Sequence, residues 1–434
     1  MIFNILSLAD RQVLSLLVAP IKHDLHLTDT QFGLLVGLAF AILYCLAGLP
    51  IGWLADRISR KLILWIGVTV WSLGAAISGL AQTMAHLFGG RMAVGVGEAA
   101  LAPCSFSMIG GLFPRSRQSL AFGLYMTASS LGGAVALGLG GLLLGLFEKH
   151  PLVLPVFGAV APWRGVFLAI GLPGVILAML AWTTREPRPT PAPPPEPDTA
   201  PVKPVDFWVF VSERRGMIIR HFLGFPVLGA AVYGVSLWAP AFFGRKFGIP
   251  PQEIGPILGL SNLIMSSLVS TGAGALIDRL TARGMRDATF VVPMIQVCLG
   301  VPILFFALLT PSKELAVAAF FVGAPLYSAW GAGSMSSLQI ISPAPIRGRM
   351  GALYVFMLSG VGFSLGPFLV AAVTDHVLHD EAKVGLSMLI VVAVLAPLAL
   401  ISLGSGRSRL REIALENDGL DAAEAALASS HQRL

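Results

Sequence analysis

Charge is scarce in this sequence. Only 12% of its 434 residues are charged, against 55% hydrophobic, where a soluble domain carries about 25% charged residues. That excludes an ordinary water-soluble fold. Cysteine is scarcer still. Cys45, Cys104 and Cys298 lie in apolar runs without pairable spacing, which excludes a disulfide framework and a cysteine-based metal site. No metal-ligand cluster, nucleophile elbow or phosphate-cradling glycine loop is present, and His23, His26, His376 and His379 fall between apolar runs. These gaps argue against an enzyme, a bound metal or organic cofactor, and ATP as energy source. Ionic attraction to nucleic acid is not indicated either, because the net charge of +6 reads as membrane topology.

What is present is a succession of apolar runs near 20 residues long, with a mean hydropathy of +0.80. Runs of this length span a bilayer as helices. Twelve spans are expected, at about 1–20, 31–53, 62–82, 86–110, 118–146, 163–183, 216–243, 254–276, 289–309, 314–341, 350–374 and 384–404. Asp10 and Arg11 interrupt the first run and no clean small-residue cleavage site follows. A signal peptide is therefore not expected, and a longer native N-terminus is.

Residues 185–206, REPRPTPAPPPEPDTAPVKPVD, hold nine prolines, the composition of an extended spacer. They divide the chain into a first six-helix bundle (1–184), a linker with a possible interfacial helix at 207–215 (185–215), a second bundle (216–404) and a polar tail (405–434). Twenty of the 29 Lys and Arg residues fall on the side of the linker, seven on the other and two, Arg11 and Arg91, within spans. Positive-inside then places both termini in the cytoplasm. The halves look related. GWLADR at 52–57 recurs as GALIDR at 274–279, and QSLAFGLYMTASSLGG at 118–133 is loosely echoed at 347–362. Two pseudo-symmetric six-helix bundles are a transporter signature, with a site near midplane between them.

Four charges sit deep in the spans: Asp10, Arg11, Arg91 and Glu98. Each costs about 2.5–3.5 kcal/mol on insertion scales, so each needs a reason. Arg91 and Glu98 lie in GGRMAVGVGEAALAP, residues 89–103, whose Ala93, Gly95, Gly97 and Ala99 allow a neighbouring helix to come close. They are two turns apart, about 10 Å along the axis, too far to pair with each other. A buried carboxyl beside a cation can alternate between a charged, paired form and a neutral, protonated one. Asp10 and Glu98 are therefore candidate proton-coupling residues, with Arg11 and Arg91 beside them; the alternative is a static pair pinning two helices. In the second half the milder polar side chains Asn262, Ser334 and Gln339 and the rings Tyr327, Trp330 and Tyr354 are candidates for a substrate cavity shared with Arg91. A chamber ionic on one wall and apolar-aromatic on the other suits an amphipathic solute. At the linker side, Gly52 allows close helix contact, Asp56 can accept hydrogen bonds from a neighbouring helix N-terminus, and Arg57, Arg60 and Lys61 sit at the headgroups, with Asp278 and Arg279 in the echo.

The turn GWLADRISRKL, residues 52–62, is similar to the hallmark loop of the major facilitator superfamily, and Arg91-x-x-x-Gly95-x-Gly97 resembles its helix 4 motif. LADRQVL at 8–14 together with RMAVGVGEAALAP at 91–103 resembles the Spinster branch, specifically its bacterial homologues. That resemblance implies the all-α major facilitator fold and export of sphingosine-1-phosphate-like or lysophospholipid molecules. It also implies proton coupling through Asp10 and Glu98, with Arg11 and Arg91 as partners, and a cytoplasmic latch between the halves at Asp56 and Arg57, with Gly52, Arg60, Lys61, Asp278 and Arg279 beside them. SSLGGAVALGLGG in the fifth span lacks the proline of the usual antiporter motif, so no direction of exchange follows. The reading is a secondary active transporter of an amphipathic, lipid-like solute working by alternating access, without a cofactor and with protons as the coupling ion. It is expected as a monomer among membrane lipids in a bacterial inner membrane, without nucleic acid. Its rivals are a proton-linked carrier of small polar or drug-like solutes and a non-transporting membrane sensor or scaffold.

Overall fold

The computed structural model describes residues 1–55, 57–113, 115–155, 158–186, 206–343 and 346–431. Asp56 and most of the proline-rich linker lie outside the described residues. Among those described, eleven helices are long and apolar enough to cross a membrane. The pair Ile2–Val13 and Val18–Leu25, bent by 56°, makes a twelfth. With that pair as span 1, the others are span 2 (Asp29–Ala55), span 3 (Arg60–Ser78), span 4 (Met84–Ile109), span 5 (Leu131–Lys149) and span 6 (Pro162–Thr183). In the second half they are span 7 (Arg215–Phe247), span 8 (Pro251–Ala282), span 9 (Ala288–Leu309), span 10 (Lys313–Ile341), span 11 (Arg347–Leu378) and span 12 (Glu381–Asn417).

Local chemistry sets the ends. Thr28 and Gln31 form a capping box at the start of span 2, and Ser59, Thr83 and Ser312 cap spans 3, 4 and 10. Pro162 and Pro251 open spans 6 and 8, where the missing N–H costs nothing. Gly248, at φ 66°, closes span 7 in the left-handed conformation. Asp206 caps the seven-residue helix Phe207–Glu213, whose Trp208 is 73% exposed.

Helix contacts inside each half run through small residues, and they repeat between halves. A Cβ on Gly132 of span 5 would lie 2.7 Å from Leu8 Cβ of span 1, and one on Gly366 of span 11 would overlap the Ala230 carbonyl oxygen of span 7. A Cβ on Gly97 of span 4 would meet Gly67 O of span 3 at 2.5 Å, and one on Gly300 of span 9 would meet Tyr327 Cβ of span 10 at 2.6 Å. Backbones this close leave no room for a methyl group. Gly366→Ala is accordingly expected to cost about 3 kcal/mol, the upper end for overpacking, because the clash is with backbone rather than a mobile side chain. Thermal unfolding of the purified variant measures it, and an unchanged midpoint would contradict the packing described.

Two seams join the halves. Span 2 meets span 11, where a Cβ on Gly37 would lie 2.5 Å from Ser364 O and one on Gly33 3.1 Å from Pro367 O. Span 5 meets span 8, where Gly255 faces Leu137 O at 2.6 Å and Gly259 faces Ala134 O at 3.0 Å. These contacts lie towards the face remote from the linker, hereafter the distal face. Towards the linker, or proximal, face the same helices part: a Cβ on Gly48, Gly52, Gly272, Gly274, Gly348 or Gly351 would meet nothing within 4 Å. Among the described residues the molecule is closed distally and parted proximally.

Residues 405–417 are not the separate solvated tail expected. The helix of span 12 runs unbroken over Val384–His431, and Leu410 and Ile413 are buried. Arg407 and Arg411 clamp it to Asp287 at 2.8 and 3.2 Å, and Asn417 Nδ2 donates to Ile340 O at 2.9 Å. Burial alone would push the Asp287 carboxyl up; hydrogen bonds and charge from Arg407 and Arg411 outweigh it and hold it below the ordinary carboxylate value. Leu403, Leu410 and Ile413, spaced seven and three residues apart on one helix face, are the sequence sign of this packing.

Candidate functional site

Asp10 and Arg11 are successive residues of span 1 whose side chains diverge by about 100°, so each reaches a different turn of span 4. All four deep charges thereby meet in two ion pairs. Arg91 Nη1 donates to Asp10 Oδ2 at 2.8 Å, and Arg11 donates to Glu98 Oε2 through Nε at 2.5 Å and also through Nη2. Span 4 is placed for this by its small residues. A Cβ on Gly95 would lie 2.5 Å from Phe40 O of span 2, and Gly97 presses on span 3. With those faces used for close packing, Arg91 and Glu98 are left facing span 1.

The two pairs differ in environment. Asp10 and Arg91 are each 1% exposed, and Asp10 Oδ1 and Arg91 Nε have no partner among the described residues. Glu98 is equally buried, but the Arg11 side chain is 18% exposed. The Arg11 guanidinium lies 4.3 Å from the Phe40 ring centroid and 5.0 Å from that of Tyr44, stacking that holds a cation without neutralising it. One pair is thus enclosed, and the other has its cation at the edge of the parted region.

Sequence reading missed Ser7, whose Oγ donates to Glu98 Oε2 at 2.8 Å. Its signal was present: Asn4, Ser7 and Arg11 recur at three- and four-residue spacing on one face of an apolar helix. It also missed His221, alone in the apolar span 7. His221 is fully buried; its Nε2 lies 3.1 Å from both Ser334 O and Ser337 Oγ. A carbonyl only accepts, so Nε2 carries the proton.

The second-half candidates are placed differently from the expectation of a cavity wall. Tyr327, Trp330, Ser334 and Tyr354 are all buried. Tyr327 packs on Gly300, Trp330 lies 6.1 Å from the Phe225 ring, and Ser334 hydrogen-bonds the Tyr354 hydroxyl beside His221. Hydrogen bonds among His221, Ser334 and Tyr354 knit spans 7, 10 and 11 together, while the Tyr327 hydroxyl and Trp330 Nε1 are buried without a partner among the described residues. Gln339 is exposed, on a different face of its helix from Ser334 and Ser337. Asn262 alone faces the other half, against Gly133 of span 5 at the seam.

The candidate latch residues do not meet across the halves among the described residues. Arg57 stacks on Trp53 at 3.7 Å, and the Arg60 side chain donates to Ser107 Oγ at 2.8 Å within the first half. Lys61 and Gly52 are half-buried, Asp278 and Arg279 are exposed, and Asp56 lies outside the described residues. The proximal parting accounts for this. The closed face carries a latch of its own. Buried Asp29 of span 2 accepts two hydrogen bonds from Arg245 of span 7, at 2.6 and 2.7 Å, and pairs with Lys22. Lys22 and Arg245 also reach Glu381 at 2.9 and 3.1 Å, and Thr30 N donates to Asp375 Oδ2 at 2.7 Å.

The family model of the Major Facilitator Superfamily matches residues 1–367. An MFS-type efflux pump of Mycolicibacterium smegmatis is 26% identical over 416 residues, 95% of this chain and 92% of that protein. Protein spinster homolog 1 of Bos taurus is 23% identical over 396 residues, 87% of this chain and 72% of that protein. A probable L-galactonate transporter of Escherichia coli is 31% identical over 175 residues, 40% of this chain and 35% of that protein. Among solved structures, a bacterial homologue of the human lysosomal transporter Spinster, inward-facing and unoccupied, superimposes with a TM-score of 0.75 at 23% identity. It covers 95% of this chain and 93% of that one. The family model over residues 1–367, on two six-span halves joined at paired seams, places the chain in the Major Facilitator Superfamily as a secondary transporter rather than an enzyme.

Proposed function

We propose that the protein moves an amphipathic, lipid-like solute of the lysophospholipid or sphingosine-1-phosphate kind, coupled to protons, by alternating access. The observation that carries the coupling is the Arg11–Glu98 pair: a wholly buried carboxylate whose cation sits beside the parted region. When Arg11 leaves, Glu98 becomes an unpaired buried charge and takes a proton instead. Asp10 and Arg91 serve beside it as the enclosed partner pair. The resemblance of residues 8–14 and 91–103 to the bacterial Spinster branch supports the lipid-like solute and a bacterial inner membrane, and the Lys and Arg distribution supports a cytoplasmic proximal face and cytoplasmic termini. Asp56 with Arg57, Arg60 and Lys61, and Asp278 with Arg279, would latch the proximal face once it closes.

A second reading is a proton-linked carrier of small sugar acids, as several relatives are named; Arg11 and Arg91 at mid-depth would suit a carboxylate. The test is flux in proteoliposomes with an imposed pH gradient, offering a lysophospholipid and a hexuronate in parallel. Gradient-dependent flux of the lysophospholipid alone is expected. Flux of the hexuronate alone would replace the first reading by the second, and no flux of either would overturn both.

A further inference from the structure

A groove of about 260 Å³ opens at the proximal face between Phe207–Glu213, the start of span 7 and the end of span 12. Arg214, Arg220 and Arg409 line it, with Glu213, Ser408 and Glu412 between them. Their charges are unevenly matched. Arg409 pairs with Glu412 at 2.6 Å, and Arg214 Nη2 pairs with Glu416 at 3.1 Å. Arg214 Nη1 is buried without a partner among the described residues. Arg220 has no carboxylate at ion-pair distance among the described residues, although it is half-buried. Its stem is fixed: a Cβ on Gly406 would touch its Cβ and Cδ at 3.5 Å, and its carbonyl accepts from Ser402 Oγ at 2.9 Å. The helix of span 7 starts at Arg215 with no side-chain cap, and Gly216 of its first turn lines the same groove. The positive helix end therefore adds to the two guanidinium groups.

Planar guanidinium donors with hydrogen-bonding capacity left over, gathered in a concave site, match the oxygens of a phosphate group. We propose that this groove binds a phosphate group, with Arg214 and Arg220 as its principal donors. Two sources carry that chemistry: the headgroup of an anionic phospholipid, and free phosphate. Glu213 opposes an anion there, so the free ion is the weaker ligand. A lipid gains further from burying its chains against Val209 and Ile219, which are 52% and 53% exposed.

The purified full-length protein is titrated with short-chain phosphatidylglycerol, with the matching diacylglycerol that lacks phosphate, and with inorganic phosphate. Binding is read by native mass spectrometry and by the melting temperature. Phosphatidylglycerol is expected to bind and diacylglycerol not, with Arg220→Gln and Arg214→Gln each weakening phosphatidylglycerol by about tenfold or more. Binding of inorganic phosphate with the same loss in the variants, and no gain from the lipid, would make the free ion the ligand. Should either Gln variant misfold, Arg220→Lys keeps the charge and loses the fork, and a several-fold weakening is expected. Equal binding of phosphatidylglycerol and diacylglycerol, no binding of either phosphate probe, or variants that bind like the wild type would overturn the assignment.

Discussion

Glu98→Gln is expected to abolish accumulation driven by a pH gradient while leaving solute exchange without a gradient near the wild-type rate. Glutamine keeps the shape of the side chain and a partner for Ser7, but it neither releases nor takes a proton at this position. Two unit charges 4 Å apart attract by about 4 kcal/mol at an effective dielectric of 20, so the charge on a buried Glu98 depends heavily on Arg11. Moving Arg11 away is therefore a switch of protonation, and removing the titratable group disconnects flux from the gradient. Asp10→Asn has the same expected loss of gradient response with an added penalty. Arg91 is enclosed and would be left as an uncompensated buried charge, which costs about 3–5 kcal/mol. Reconstituted flux with and without the gradient, beside thermal unfolding, separates the two effects. Wild-type gradient response in both variants would remove these carboxylates from the coupling.

The fold was legible because a bilayer imposes one-dimensional rules. Apolar run length, the proline-rich divider and the repeated Gly-x-x-x-Asp-Arg turn located the spans and the halves without any knowledge of contacts. The first-half site was legible for a related reason: four charges in hydrocarbon have few places to find partners, and the two-turn spacing of Arg91 and Glu98 forbade the pairing between them. The second-half residues were not legible in the same way. Serine, tyrosine and tryptophan pack within a helix bundle as readily as they line a chamber, and sequence spacing does not distinguish the two. His221 shows the converse, a buried polar group passed over because one histidine among apolar residues makes little mark on composition. The distal latch was hidden by distance, since Asp29 and Arg245 are far apart in the chain and each alone looks like an ordinary end-of-helix charge.

That latch carries the remaining large effect. Asp29→Asn is expected to shift the molecule from the distally closed form towards a distally open one. In the closed form Asp29 is buried and receives Arg245 bidentately together with Lys22, so removing its charge leaves two cations facing each other with only Glu381 to hold them. Breaking one side of a buried pair costs about 3–5 kcal/mol. In the open form the same groups are solvated and the substitution costs little, so nearly all of that difference appears in the equilibrium between forms. About 5.5 kcal/mol suffices to take a two-state population from 1:99 to 99:1, so the expected shift covers much of that range. Ser364 reports it, because its hydroxyl lies against Gly37 O at 3.3 Å inside the seam between spans 2 and 11. With Cys45, Cys104 and Cys298 replaced by serine, Ser364→Cys should react slowly with a membrane-impermeant maleimide from the distal side. Adding Asp29→Asn should accelerate it by about tenfold or more, the factor expected for each 1.4 kcal/mol of population shift. An unchanged rate would mean that the glycine seams, not the ion pairs, hold this face shut.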